Sequence, residues 1–290
     1  MRDEGSRPAA HAGSFYPADT ATIRDFLDRA VAELPDPGME HLAGAVLPHA
    51  GWVYSGAPAA RACRLLARLG GEPETVVLFG AVHRIRMAEG PCLDWHSSWE
   101  TPLGRVAVDR EAAESLATAG IVAQAPLCHQ GEHSLEVLVP MIQAFLPAAK
   151  ILPLAMVPVP GAPEAGREVA RHLQGLGRRA LVVGSTDLTH YGPRFGLEPA
   201  GRGEEGLAWA RANDRRFLDR LTAMQERELV PEALDRMNAC GAGAAAATLG
   251  FARELGARRG FLVEHTDSHE AGGGAFFDGT YVGYGSVVFG

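Results

Sequence analysis

Apolar and polar positions alternate along the chain with two different periods, which predicts strands and helices in turn. Short runs of β-branched and other apolar residues indicate strands, and apolar residues three or four positions apart indicate helices. The predicted strands, some with the polar turn that follows, lie at 42–51, 75–83, 104–109, 150–159, 179–185, 260–270 and 280–290. The predicted helices lie at 20–34, 56–70, 110–120, 134–146, 163–177, 203–224 and 238–256, and Pro140 is expected to bend or interrupt the fourth.

The order of these elements predicts the fold class. Strands that alternate with helices are typical of an α/β protein, in which helices cover both faces of a central, largely parallel or mixed sheet. No linker-like segment or internal repeat divides the sequence, so residues 1–290 are expected to form a single domain. In such sheets ligands bind beyond the carboxyl ends of the strands. Functional side chains are therefore expected where the apolar strands end.

Polar side chains follow several of the predicted strands. His49 comes after AGAVLP, His83 comes after VVLFGAV, and Asp187 and His190 come after LVVGST. Strand ends from distant parts of the sequence are expected to bring these groups into one cleft. For His49 and His83 a purely structural interpretation stays open, because a histidine in a turn can simply hydrogen bond to the backbone.

His129, Glu132 and His133 have the spacing of an inverted zincin, in which two histidines on one helical face bind zinc. Gly131 interrupts this segment and Ser134 is expected to begin the helix, so the pattern disfavours a zinc protease. His133 at the start of that helix can serve as an acid or base, or it can cap the helix.

Cys240 opens a helix of very small residues. A helix N-terminus lowers the pKa of a thiol and so favours a thiolate that acts as a nucleophile or a metal ligand. The alternative is a small buried cysteine beneath a tight helix pairing. Cys63 is expected in the core, and the pattern assigns no role to Cys92 or Cys128.

Composition limits the partners and the compartment. The 290 residues are 47% hydrophobic and carry a net charge of -8, so no nucleic-acid or acidic-membrane partner is expected. No run reaches the roughly 20 apolar residues that span a bilayer, and the N-terminus lacks the apolar core of a signal peptide. The scattered cysteines form no CxxC pair. A cytoplasmic protein with reduced thiols is expected.

Seven segments together resemble the Memo family, the B component of the AmmeMemoRadiSam system. They follow the family's order and span nearly the whole chain: RPAAHAGSFYPAD (7–19), LPHAGWVYSG (47–56), FGAVH (79–83), WETPLGRVAVD (99–109), EHSLEVLVPMIQ (132–143), VGSTDLTHYG (183–192) and NACGAG (238–243). The family resembles in fold the class III extradiol dioxygenases, which hold non-haem Fe(II) with two histidines and one carboxylate. Memo proteins have a cysteine in place of that carboxylate.

The resemblance implies a metal site and a reaction class. The metal ligands would be His49, His83 and Cys240, while Asp187 and His190 would line the same pocket with His133 opposite. Fe(II) is the expected metal, and copper or zinc compete because a thiolate is softer than a carboxylate. The implied function is that of a metal-dependent, non-haem iron oxidoreductase acting on a small organic substrate. In this role His190 or His133 would act as the base, and Asp187 would orient an imidazole.

Two other functions stay open. Eukaryotic Memo proteins are associated with signalling partners, so the pocket could instead be a module that binds a peptide or a partner protein without turnover. The same histidines and aspartate would also suit a metal-assisted hydrolase. For the bacterial system the resemblance implies an AMMECR1-like protein and a radical SAM enzyme as functional partners.

The chain departs from the family pattern at three places. The usual GPNH is GAVH here, with Ala81 and Val82, and the usual EVQLP is EVLVP, with Leu138. A usual Asn-Ser-Gly-Asp turn is replaced by Asp-Ser-His-Glu at 267–270, which includes His269. The lost amides and added acids are expected to alter the contacts around the metal ligands or the choice of substrate.

Overall fold

A computed structural model describes residues 5–85, 88–273 and 279–290 of the chain. Its strands are β1 (Ser6–Arg7), β2 (Gly44–Leu47), β3 (Thr75–Gly80), β4 (Cys92–Leu93), β5 (Ser98–Thr101), β6 (Gly104–Ala107), β7 (Lys150–Ala155), β8 (Ala180–Ser185), β9 (His190–Tyr191), β10 (Gly260–Asp267) and β11 (Tyr281–Phe289). Its α-helices are α1 (Thr20–Ala30), α2 (Trp52–Leu69), α3 (Arg110–Thr118), α4 (Val139–Phe145), α5 (Ala162–Gly175), α6 (Glu204–Thr222), α7 (Leu229–Arg236), α8 (Ala242–Glu254) and α9 (Ser268–Ala271). A short 3₁₀ helix covers Pro126–His129.

The larger of two sheets has eight strands of mixed direction. Its order is β10-β11-β2-β8-β3-β7-β4, and β9 pairs with β11. Strands β2, β8, β3 and β7 are parallel, whereas β11 is antiparallel to β2 and β10, and β4 is antiparallel to β7. The four parallel strands end at one edge of the sheet, so the segments that follow them meet there. Strands β1, β5 and β6 form a separate three-stranded sheet.

The central strands are apolar throughout because both of their faces are covered. Along β3, Val77 and Phe79 pack into the core that includes α5 and α8, while Val76 and Leu78 pack into the core that includes α1 and α2. Successive side chains of a strand point to opposite faces, so a continuous apolar run fills both cores. The predicted α/β class with a mixed sheet between layers of helices is confirmed.

Helices α5 and α8 pack with their backbones in close contact, because small residues line the surface between them. A Cβ atom on Gly166 of α5 would lie 1.9 Å from the carbonyl oxygen of Ala247 in α8. Helix α8 is buried along nearly its whole length, which matches the prediction of a small-residue helix that packs closely. Within the described ranges, no helix is both apolar and long enough to cross a membrane.

Several predicted element bounds are wrong. The helix predicted at 134–146 begins only at Val139, because the preceding residues form separate hydrogen-bonded turns. Pro140 lies in the first turn of α4, where its missing N–H breaks no helical hydrogen bond, so it does not bend the helix. Helix α2 begins at Trp52 rather than at residue 56, and α8 begins at Ala242 rather than at residue 238. Helices α7 and α9 and strands β1, β4, β5 and β9 were not predicted.

Candidate metal centre

His49 follows β2 and is fixed by residues at the end of β8. Its backbone N–H donates to Asp187 Oδ1 at 2.7 Å, and its ring Nδ1 lies 2.7 Å from Ser185 Oγ. Ser185 Oγ donates its own proton to the carbonyl oxygen of Ser134 at 2.6 Å, so it accepts from His49 and Nδ1 carries the ring proton. The other nitrogen, Nε2, lies 3.2 Å from Cys240 Sγ. A neutral imidazole with Nε2 unprotonated is the form that binds a metal.

The ring of His83, beyond the end of β3, is oriented by the buried carboxylate of Glu132. Glu132 Oε1 accepts from His83 Nδ1 at 2.9 Å, and Oε2 accepts the backbone N–H of His83 at 2.8 Å. The backbone N–H groups of His133 and Ser134 also donate to Oε1, at 3.0 and 2.9 Å. Burial by itself raises the pKa of Glu132, but the hydrogen bonds from His83 and the backbone outweigh it and hold the pKa well below its usual range. Ionised Glu132 therefore keeps the proton on His83 Nδ1 and leaves Nε2 for a metal.

Cys240 adds a sulfur donor to the two imidazoles. The backbone N–H of Asp187 donates to Cys240 Sγ at 3.3 Å, and the backbone N–H of Cys240 donates to the Asp187 carbonyl at 3.2 Å. One ligand atom from each of His49, His83 and Cys240 lies within 4.8 Å of the other two. The structure therefore brings the three predicted ligands together from three separate parts of the chain.

Of the two interpretations of Cys240, the thiol with a lowered pKa is wrong. Burial, followed by the nearby charge of Asp187, raises this pKa well above its usual value. The helix begins two residues later, at Ala242, and its N-terminus does not overcome burial. A bound cation would reverse this balance, because a thiol that coordinates a metal loses its proton.

His133 lies against both ligand histidines. Its ring stacks on His83 with centroids 5.0 Å apart and an interplanar angle of 25°, and it meets His49 edge-on at 5.3 Å. Burial lowers the pKa of His133 to about 4, although the charge of Glu132 acts in the opposite direction. His133 is therefore neutral near pH 7 and able to accept a proton.

Asp187 lies on the loop after β8, and His190 begins β9 directly after that loop. Asp187 Oδ2 is 3.9 Å from His49 Nε2, and burial raises the pKa of Asp187 to about 7 against the hydrogen bonds that it accepts from the backbone. His190 Nδ1 lies 3.0 Å from the carbonyl oxygen of Leu188, so this nitrogen carries the proton and Nε2 is an acceptor. Burial lowers the pKa of His190, and the charge of nearby His83 lowers it further.

The N-terminal segment covers one side of the centre. The Phe15 ring lies 4.8 Å from the ring of His133, and the ring of His11 lies 5.9 Å from it. The backbone N–H of His11 and the hydroxyl of Tyr16 both donate to Glu136 Oε1, at 2.6 and 3.1 Å. The segment that carries the first part of the family resemblance is thus fixed beside the candidate metal ligands.

The zincin-like spacing does not form a ligand group. His129 lies in the 3₁₀ helix and donates from Nε2 to the carbonyl oxygen of Cys92 at 2.8 Å, whereas His133 contacts His83. The described residues contain a second possible group, formed by His83, Glu132 and His133, and His129 is not part of it. The sequence pattern included Glu132 as part of a zinc motif, whereas in the structure Glu132 orients the ring of His83. No sequence pattern indicated Ser185.

The departures from the family pattern lie in two different environments, the buried core and the start of a short helix. Ala81, Val82 and Leu138 are buried, and Val82 and Leu138 pack among apolar side chains. Asp267 instead caps α9 by accepting from the backbone N–H groups of residues 269 and 270, and it also pairs with Arg211 at 2.7 Å. The replaced amides have thus become core contacts, and the added acids stabilise a short helix that was not predicted.

Comparisons with known proteins match the chain over nearly its whole length. The family model described as "Memo-like protein" matches residues 7–288. A MEMO1 family protein of Methanothermobacter thermautotrophicus, MTH_45, is 36% identical over 280 residues, which cover 92% of this chain and 95% of that protein. The MEMO1 family protein MK0963 of Methanopyrus kandleri is 33% identical over 298 residues, with 98% of both chains covered.

One solved structure shows the same fold. The uncharacterized protein JW3007 from Escherichia coli K12 superposes with a TM-score of 0.50 and covers 86% of this chain and 100% of its own. Its sequence identity of 15% limits the likeness to the fold. The predicted architecture is therefore supported by an experimental structure as well as by the strand order described above.

Proposed function

The chain belongs to the Memo family, and from this premise we propose that it is a metal-dependent oxidoreductase that acts on a small organic substrate. Its metal would be Fe(II), held by His49, His83 and Cys240. The proposal rests on one observation above all: atoms of these three side chains converge to within 4.8 Å although they come from distant segments.

The donor set fits a first-row transition metal. Ser185 and Glu132 fix the proton of a neutral imidazole on Nδ1, which makes both Nε2 atoms the metal donors, and a thiolate would supply the negative charge. Three protein ligands leave further positions open for substrate and O₂, as in other non-haem iron sites. Bound Fe(II) would supply the electron transfer that activates O₂. The sulfur donor also suits copper and zinc, so metal identity is the first property to measure.

Side chains around the metal ligands supply the proton chemistry. His190 Nε2 is a neutral acceptor that would take a proton from a substrate hydroxyl group. The neutral ring of His133 is the alternative base, and the Glu132 carboxylate lies 3.5 Å from its Nδ1, where it would stabilise the resulting imidazolium. Asp187 orients the His49 backbone and places a second oxygen beside the ligand ring.

The test is the metal content of the chain after anaerobic purification. We expect near-stoichiometric iron in the wild type and in the Cys63→Ala control, which removes a thiol buried within α2. His49→Ala and Cys240→Ser should both lose the metal, and substrate-dependent O₂ consumption should disappear with it. No binding during anaerobic Fe(II) titration would refute the proposal. Zinc together with O₂-independent ester or amide cleavage would favour the hydrolase instead.

Exposed apolar side chains beside the centre favour a second candidate, a binding module. Val53 and Tyr54 follow the His49 loop with 70% and 43% of their surface exposed, and Phe195, which packs against His190, is 44% exposed. Such residues are typical of a protein-binding rim. The implied AMMECR1-like and radical SAM partners should be captured by the purified chain if this holds. Capture that survives Cys240→Ser but not Tyr54→Ser would separate partner binding from metal binding.

A further inference from the structure

Cys92 and Cys128 bring two thiols into contact outside the metal centre. Their Sγ atoms lie 3.4 Å apart although the residues are 36 positions apart in the sequence. Both side chains are buried in a small apolar cluster that also contains Val82. A disulfide has an S–S distance of about 2.05 Å, so an approach of about 1.4 Å would join them.

The two thiols lie on elements of different kinds. Cys92 lies on β4, where it pairs with Ala155 of β7 in the larger sheet. Cys128 lies on the single-turn 3₁₀ helix, where its backbone N–H donates to Ala125 and the neighbouring Leu127 is 45% exposed. Short 3₁₀ helices have poor hydrogen-bond geometry and open locally at low cost. The helix can therefore admit a small oxidant and carry Cys128 towards β4.

We propose that Cys92 and Cys128 are a modification site at which a reversible disulfide forms. The oxidant would be a small disulfide, such as glutathione disulfide. The Cys128 thiolate attacks it and releases one thiol, and the Cys92 thiolate then displaces a second thiol from the mixed disulfide. The two cysteines lose two protons and two electrons, and the small disulfide gains them as two thiols. The first attack is assigned to Cys128 because it lies on the short 3₁₀ helix, whereas Cys92 lies within a strand of the larger sheet.

The disulfide would act on the metal ligands through the segment between Cys128 and Glu132. His129, next to Cys128, already donates to the carbonyl oxygen of Cys92, and Glu132 holds His83 only three residues further on. Val82, which packs against the two thiols, directly precedes His83. Closing the S–S bond would move the segment between Cys128 and Glu132 relative to His83, and this would weaken the hydrogen bond that the His83 ring donates to Glu132. We expect the oxidised chain to bind Fe(II) about three- to tenfold more weakly, less than the 10–100-fold that loss of such a contact typically causes.

The modification is tested on the full chain, reduced and stripped of metal with a chelator, in glutathione buffers of increasing oxidation. After alkylation and unfolding, a peptide map should show residues 92 and 128 linked, with Cys63 and Cys240 alkylated. The Cys63→Ala control should form the same link, and Cys128→Ala should not. Alkylatable Cys92 and Cys128 in the most oxidising buffer, or a glutathione adduct without the link, would overturn the proposal. The wild-type map decides the question even if a variant folds poorly.

Fe(II) binding is measured separately from the peptide map. Only the expected effect of the disulfide on Fe(II) binding rests on the proposed function, and the link between Cys92 and Cys128 does not. Fe(II) titration compares the oxidised and the reduced wild type, with Cys128→Ala in the same buffers as the control. Weaker binding in the oxidised wild type alone supports the coupling, and equal affinities overturn it. If the reduced protein binds no Fe(II), the proposed function fails, while a mapped link still establishes the modification site.

Discussion

Replacing Glu132 with Gln tests the account of the metal centre most directly. The substitution keeps the size and shape of the side chain but removes its charge and turns one oxygen into an N–H donor. Glu132 Oε1 accepts three N–H groups, and Oε2 accepts the backbone N–H of His83. The amide nitrogen is therefore placed best at the Oε2 position, where it faces the backbone N–H of His83 instead of accepting from it.

The size of the effect follows from these contacts. A hydrogen bond to a charged group contributes about 1.5–3 kcal/mol, and a buried N–H left without a partner costs about 1–3 kcal/mol. We expect Glu132→Gln to lower the free energy of unfolding by about 3 kcal/mol. Fe(II) affinity should fall by about 10–100-fold, because the ring of His83 loses its charged acceptor.

Anaerobic Fe(II) titration and denaturant unfolding measure the two effects separately. Glu136→Gln is the matched control, since Glu136 is equally buried and accepts from His11 and Tyr16 but does not contact His83. The control should lose stability and retain its Fe(II) affinity. If both variants bind Fe(II) as tightly as the wild type, Glu132 does not position His83 for a metal, and the reasoning fails.

Three further predictions concern other parts of the molecule. Ser185→Ala removes the acceptor for His49 Nδ1 and should weaken Fe(II) binding about tenfold in the same titration, and unchanged affinity would show that the hydroxyl does not set the tautomer. Burial alone raises the pKa of Asp94, but neighbouring histidines and an arginine outweigh burial and lower this pKa below its ordinary value of 3.8. The ionised carboxylate therefore stabilises the folded state fully above that pH, and this contribution is lost in more acidic solution. Asp94→Asn should therefore lower stability at pH 7 and flatten the loss below about pH 4 in acid unfolding curves. Gly166→Ala should cost about 3 kcal/mol because the new methyl group meets the backbone of α8, whereas Gly175→Ala in the same helix has open space and should gain about 0.5 kcal/mol in thermal unfolding.

The strand ends could be predicted from the sequence, but the contacts that set their chemistry could not. His49 and His83 were identified because polar groups that follow apolar strands are expected at one edge of an α/β sheet. Glu132 acquires its role only through His83, 49 positions earlier in the chain, and no local pattern encodes that hydrogen bond. The sequence could not decide between the two interpretations of Cys240 for the same reason, since burial depends on the tertiary packing rather than on the helix that follows.

The distance along the chain between the ligands determines when the centre can form. His49 and Cys240 are 191 positions apart, so their meeting requires the closure of a long loop and the prior pairing of the parallel strands. A metal cannot guide the earliest steps of folding at such a site. Its effect comes afterwards: a ligand at 100 times its dissociation constant stabilises the folded state by about 2.7 kcal/mol. During synthesis Cys240 is the last of the three candidate ligands to be made, so the proposed metal could be bound only once most of the chain has been translated.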